Sequence, residues 1–371
     1  MKVGFLVLGR QDGKGGLENV LLHVVEGLKA RDIESIVFFL QPFKDRGYKK
    51  NFESYYEFSM PPILRDKNFF RPRVLYNLFL RLGVRDILKR VSHSCDALVI
   101  LNVEPVLYRL RKEFVLFREE NPAIPLFSWP HGTLSIDSGD VVSAALDLFD
   151  EHLAISKGLM TELSVGFNRQ NVTFVGNPIR EAQLIPRDAR RFIYVGRTDP
   201  EKRVLDLIGM LAGLRGEWTL DLIGGSMTRG RDDELKRLVI EKGLVDRVRL
   251  HGWQEDPWSL VDSAGVLLLN SKYEGFGLVI AEAMMRGIPC VSSNCPVGPA
   301  SIIREGVNGW LFELDDQSRC LGILQSILDG ETSLPSRESV RDSVVEFSVD
   351  RVVDRFRDAL QEAKSFSGQN K

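Results

Sequence analysis

The sequence predicts an α/β protein of two Rossmann-like, doubly wound parallel-sheet domains. Three observations carry that expectation. Apolar runs of strand length alternate with helical patterns, which demands parallel strands joined by crossover helices. The alternation pauses at a segment bracketed by prolines, Gly176-Asn-Pro-Ile-Arg-Glu-Ala-Gln-Leu-Ile-Pro186, and then begins again. The chain has 371 residues, 44% of them hydrophobic, enough for two domains with a core each.

The elements follow in order. Lys2–Leu8 is a first core strand; its apolar run ends at Gly9-Arg10 without the small residues of a signal-peptide cleavage site. After a glycine turn comes a helix from Leu17 to about Arg31, with Leu17, Val20, Leu21, Val24, Val25 and Leu28 at helical spacing. Strands are expected near Ser35–Leu40, Ala97–Leu101, Pro125–Trp129, Leu153–Ile155 and Val172–Val175, closing a domain over residues 1–178. The second domain, residues 187–345, has strands near Phe192–Val195, Thr219–Ile223, Arg247–Leu250, Val266–Leu269 and Pro289–Ser292. Val266–Leu269 is apolar throughout rather than alternating, as a strand covered on both faces must be. A last helix, about residues 349–364, comes after the second sheet is complete and is free to pack back on the first domain. Ligands of such sheets lie beyond the carboxyl ends of the strands, so two facing sheets predict a cleft between domains.

Composition narrows the function. A net charge of −2 gives no electrostatic footprint for nucleic acid. Cys95, Cys290, Cys295 and Cys320 show no C-x-x-C spacing, which argues against zinc and for a reducing compartment. Nothing has the length of a transmembrane helix, so the expectation is a soluble or peripheral protein.

The most informative stretch is Asn270-Ser-Lys-Tyr-Glu274-Gly-Phe-Gly-Leu-Val-Ile-Ala-Glu282. A strand runs into a turn with Gly275 and Gly277, and a helix opens near Leu278. Unpaired amides and the positive end of the helix dipole there suit an anion. Glu274 and Glu282 can accept hydrogen bonds from hydroxyls around that anion, and a phosphorylated sugar offers both groups. Gly196-Arg197 through Lys202 follows another strand, with a planar fork and a movable point charge suited to two phosphates. Gly224 follows the next strand, and His251-Gly-Trp253-Gln254 the one after, where main-chain groups can meet a flat base. In the first domain, Gly9-Arg-Gln-Asp-Gly13-Lys14-Gly15-Gly16 fails as a P-loop, because three residues rather than four precede Gly13-Lys14 and Gly15 replaces the Ser or Thr. It fails as a dinucleotide fingerprint because Glu18 stands where glycine is required. An anion-accommodating turn remains. His131, beside Gly132, lies just past the Pro125–Trp129 strand.

Arg197 and Lys202, the Glu274…Glu282 pair, the Gly15-Gly16 turn and the Asn177-Pro178 linker together resemble glycosyltransferase family 4, the retaining sugar-nucleotide transferases of the GT-B fold. The likeness spans essentially the whole chain. Phe127-Ser-Trp-Pro-His131, His152-Leu-Ala-Ile-Ser-Lys-Gly158, Gly216-Glu-Trp-Thr-Leu220, Gly252-Trp-Gln-Glu-Asp-Pro-Trp258 and Gly287-Ile-Pro-Cys-Val-Ser-Ser293 look like bacterial lipopolysaccharide-core galactosyltransferases, which use UDP-galactose and form an α-1,6 branch. The resemblance implies a hexosyltransferase moving a hexose from a nucleotide-diphosphate sugar, UDP-galactose or UDP-glucose, to a glycan or glycolipid such as the lipopolysaccharide core. It implies roles as well. Arg197 and Lys202 would hold the diphosphate and His131 would touch the sugar. Glu274 with the amides of Gly275, Phe276, Gly277 and Leu278 would hold donor sugar and phosphate, while Glu282 would take the ribose. Gly15 and Gly16 would approach the distal phosphate; Gly224, Trp253 and Gln254 complete the donor wall. Retention without a carboxylate nucleophile suggests front-face attack. No D-x-D triplet occurs, and no cofactor or metal is expected.

Residues 63–91 carry eight basic residues against two acidic, interleaved with Phe69, Phe70, Tyr76 and Phe79. Such a face suits an anionic membrane surface and a peripheral, cytoplasmic enzyme. Two other readings remain open on sequence alone. One is a sugar-nucleotide epimerase or phosphorylase of the same fold, and the other a non-catalytic sugar-nucleotide-binding subunit.

Overall fold

A computed structural model of the protein describes residues 1–9, 16–41, 48–59, 73–102, 105–134 and 139–369. The chain forms two compact units, Met1–Pro178 with Val349–Lys371, and Ile179–Ser348.

The first unit is built on seven parallel strands: β1 (Lys2–Val7), β2 (Glu34–Phe39), β3 (Tyr55–Glu57), β4 (Ala97–Leu101), β5 (Leu126–Trp129), β6 (Glu151–Ala154) and β7 (Val172–Phe174). Their order is β3-β2-β1-β4-β5-β6-β7. All of β4 and all of β5 are buried, because helices cover both faces of the sheet. Helix α1 (Gly16–Lys29) turns Val20, Leu21, Val24 and Leu28 inward. Helix α2 (Arg73–Ser94) sets Leu80, Val84, Ile87, Leu88 and Val91 into a core with Phe114 and Phe117 of α3 (Arg111–Glu120).

Among the described residues, the basic side chains of α2 are exposed and in part paired. Arg81 and Arg85 reach the buried Glu113 of α3 at 3.8 and 3.5 Å. Arg90 pairs with Asp86 at 3.3 Å and lies over the Tyr56 ring. Arg81 and Arg85 stay half-exposed, and α2 also exposes Leu75, Leu78 and Leu82 along one helical stripe. Residues 63–72, with Phe69, Phe70 and Arg71, lie outside the described residues.

The second unit has six parallel strands: β8 (Arg191–Val195), β9 (Thr219–Ile223), β10 (Val248–Gly252), β11 (Val266–Leu269), β12 (Cys290–Ser293) and β13 (Gly309–Phe312). Their order is β10-β9-β8-β11-β12-β13. The strand order reverses between β8 and β11, the switch point where doubly wound sheets bind ligands. Helix α4 (Leu278–Met285) follows β11 and packs Ile280, Ala281, Ala283, Met284 and Met285 inward. Ile179 donates to the carbonyl of Phe347 at 2.8 Å, so the segments entering and leaving this unit are bonded to each other.

The last helix, α5 (Val349–Gln369), belongs to the first unit. Gly27 of α1 leaves room for Val353, and Arg31 donates to Asp354 at 2.8 Å and Asp350 at 3.1 Å. Phe356 stacks on Phe5 and Trp129, and Arg355 donates to the carbonyl of Val175.

Candidate active site

At the switch point of the second unit, β8 runs into Gly196-Arg197 and β11 into Asn270–Glu274. Lys202 Nζ lies 2.5 Å from Glu274 Oε1, and both side chains are largely buried. Ser271 Oγ donates to the same oxygen at 2.7 Å. Arg197 is half exposed; its guanidinium donates to Asp199 at 2.7 Å and Glu201 at 2.9 Å. Tyr194 donates to the Arg197 carbonyl from beneath. Thus the two cations named from the sequence stand on one sheet edge, each held by carboxylates.

Asp199 organises the neighbouring loop. Its Oδ1 accepts from Ser226 Oγ (2.5 Å), Met227 N (3.1 Å) and both N and Oγ1 of Thr228 (3.2 and 3.0 Å). Burial pushes its carboxyl up, but the Ser226 and Thr228 hydrogen bonds and the Arg197 charge outweigh that, and the net shift is downward. Gly224 is required by close approach: a Cβ there would sit 1.7 Å from the Gly196 carbonyl oxygen.

The Glu274 turn is braced from β12. Glu274 forms a parallel bridge with Val297, which holds a left-handed φ of 78° that a β-branched side chain resists. At Gly298 a Cβ would come within 2.8 Å of the Glu274 carbonyl oxygen. The Phe276 ring faces inward, 4.9 Å from Phe347, so only its backbone is available to a ligand. Gly277 caps α4, and Leu278 begins it.

Glu282 lies one turn into α4. Trp258 Nε1 donates to its Oε2 at 3.2 Å. Trp253 at the end of β10 is exposed, and Gln254 Nε2 donates to the His251 carbonyl at 3.1 Å.

In the first unit, His131 follows β5. Its N–H donates to Asn102 Oδ1 at 3.1 Å, and its ring packs edge-on to Trp129. Nε2 is shielded and without a partner among the described residues. Burial pulls its pKa down to about 3, so the imidazole is neutral. Gly16 is the first residue of α1. Gly15 lies outside the described residues.

The sequence profile of Glycosyl transferases group 1 matches residues 177–343, which contain Arg197, Lys202, Glu274 and Glu282. A lipopolysaccharide 1,6-galactosyltransferase of Salmonella typhimurium is 30% identical over 348 residues, 89% of this chain and 90% of that protein. The chain is a member of the glycosyl transferases group 1 family. The lipopolysaccharide 1,6-galactosyltransferase of Escherichia coli K12 is 28% identical, covering 98% of this glycosyltransferase and 99% of its own length. Among solved structures, the lipopolysaccharide outer core galactosyltransferase WaaB superposes with TM-score 0.78 at 26% identity, over 98% of this chain and 99% of that one. HepE from Anabaena, in complex with UDP-glucose, shares the fold with TM-score 0.76 at 20% identity, over 98% and 100%. The two parallel-sheet units are those of the GT-B fold.

Several groups that shape this glycosyltransferase site were not singled out from the sequence. Ser271 aims Glu274, Asp199 ties Arg197 to the Ser226–Thr228 loop, and Val297 with Gly298 braces the Glu274 turn. Their types are ordinary for loops, and only tertiary contact reveals them.

Proposed function

We propose that this glycosyltransferase moves galactose, with retention of anomeric configuration and without a metal, from UDP-galactose to a lipopolysaccharide-core glycan. The carrying observation is the Lys202–Glu274 pair at the β8/β11 switch point, with Arg197 beside it. Both galactosyltransferase relatives, matched over most of their length, support galactose and favour transfer over epimerisation or silent binding.

In this reading Arg197 and Lys202 take the diphosphate. Glu274 accepts from hydroxyls of the transferred sugar while it holds Lys202 charged and aimed. As the anomeric carbon–phosphate bond breaks, negative charge grows on the leaving oxygen, where fixed cations stabilise it most. The acceptor hydroxyl bonds to the anomeric carbon on the same face, and its proton passes to the leaving phosphate. Glu282 accepts from the ribose, and the amides of Gly275 to Leu278 receive phosphate or sugar oxygens. Gly16, with Gly15 before it in sequence, is assigned to the distal phosphate, and Gly224, Trp253 and Gln254 to the base. His131 contacts the donor sugar as a neutral imidazole, its unpartnered Nε2 awaiting a hydroxyl. The enzyme works peripherally at the cytoplasmic face of the membrane, with the leucine stripe of α2 toward anionic lipid.

The test is UDP release from UDP-galactose and from UDP-glucose, each with and without lipopolysaccharide-core acceptor. Transfer requires acceptor-dependent release and an α-linked product; a changed sugar without acceptor would mean an epimerase. Arg197→Ala and Lys202→Ala are expected to lower turnover by about 10²–10³ while the protein stays folded. Turnover is expected to survive EDTA; loss in chelator restored by manganese would overturn metal independence.

A further inference from the structure

Glu282 carries a layered support that the reading of its role has not used. The Trp258 indole N–H donates to Oε2 at 3.2 Å. The Arg286 guanidinium sits 4.2 Å from the centre of the same ring, and its NH1 donates to the Glu282 carbonyl at 2.8 Å. Asp256 accepts from the Trp258 backbone N–H at 3.2 Å and fixes the turn that carries the ring. A cation over the indole draws electron density from it and strengthens the N–H as a donor. Oε1 of Glu282 takes no hydrogen bond from the described residues.

We propose that Trp258 is a positioning residue for the donor: its N–H locks Oε2 of Glu282 and so presents Oε1 to a ribose hydroxyl of the nucleotide. The inference rests on Glu282 binding ribose, the reading given above. Burial raises the Glu282 carboxyl and the net shift is upward, opposed by the Trp258 N–H and the Arg286 charge. The N–H therefore also favours the ionised, accepting form. A single oxygen fixed in this way distinguishes a ribose from a sugar lacking its hydroxyls, because the carboxylate is aimed before the ligand arrives.

The full-length enzyme is assayed with UDP-galactose and with its 2′,3′-dideoxyribose analogue. Trp258→Phe keeps the ring over Arg286 and removes the donor. It is expected to raise the KM for UDP-galactose about tenfold with kcat little changed, the loss typical of a hydrogen bond to a charged group. The penalty is expected to vanish with the dideoxy donor and in a Glu282→Ala background. The acid limb of donor affinity is expected to move to higher pH in the Phe variant, since less holds the carboxylate ionised. Trp258→His, which returns a ring N–H, is expected to recover part of the loss. An equal penalty on both donors would reduce Trp258 to packing and overturn the proposal. So would an unchanged KM in Trp258→Phe while Glu282→Ala raises it. If Glu282→Ala itself leaves the KM unchanged for both donors, the ribose reading falls and this inference with it.

Discussion

His131 titrates near 6.5 when exposed and only at about 3 in the fold. Between those values the unfolded chain holds a proton that the folded chain lacks. The resulting stability is whole above pH 6.5 and drains as pH falls through that window. His152, 2.7 Å from Ser128, is pulled down to about 4 by burial and then by Arg169, so it adds the same sign. We expect the urea midpoint to fall from pH 7 to pH 5, and to fall less steeply in His131→Gln; identical slopes would show that the ring is solvated. At this scale the sequence named Lys202, Glu274 and Glu282 from their types and spacing. It could not name Ser271 or Asp199, since nothing local distinguishes a serine that aims a carboxylate from one that faces water. Trp258 stood inside a recognised run, yet its bond to Glu282 spans 24 residues of sequence.

Helix α2 shows how an element can carry more than its composition suggests. Its basic residues read as an outward cationic face, and two of them reach the buried Glu113 of α3 while staying half-exposed. Beside them α2 exposes a row of leucines. Replacing Leu78 and Leu82 by Glu is therefore expected to release the protein from anionic vesicles and to spare UDP-galactose hydrolysis in solution. Unchanged co-sedimentation would make the face an ordinary solvated one. Strand legibility followed burial in the same way. The apolar runs of β1, β4 and β11 were plain because both faces are covered. β3 was not expected, since its three residues lie at a sheet edge and none of them is buried. β13 was missed because Gly306-Val-Asn-Gly309 reads as a turn that swallows the strand's start.

For the whole molecule, the two-sheet fold class was legible from alternation restarting after residue 186. The order of strands was not, because register and neighbours depend on contacts far apart in sequence. Helix α5 makes such contacts across the longest stretch of sequence, as Arg31 to Asp354 shows. It buries Val352, Val353, Phe356 and Leu360 in the first unit. At roughly 1.5–3 kcal/mol for each buried side chain, these four rival the roughly 5–15 kcal/mol of a whole domain. A chain ending at Ser348 is therefore expected to lose the first unit to limited proteolysis. The second unit should survive and still be stabilised by UDP. A first unit equally resistant in the shortened chain would show that α5 is dispensable.

The same helix sets a timetable on the ribosome. Residues leave the exit tunnel at about 5–20 per second, amino end first. The second unit is a single uninterrupted stretch, Ile179–Ser348, and can close as soon as it emerges. The first unit begins earlier but must wait for the residues after Ser348 before α1 and β1 find Val353 and Phe356. Until then its α5-facing surface stays open, inviting a chaperone or a neighbouring nascent chain, and the unit begun before the other is finished after it.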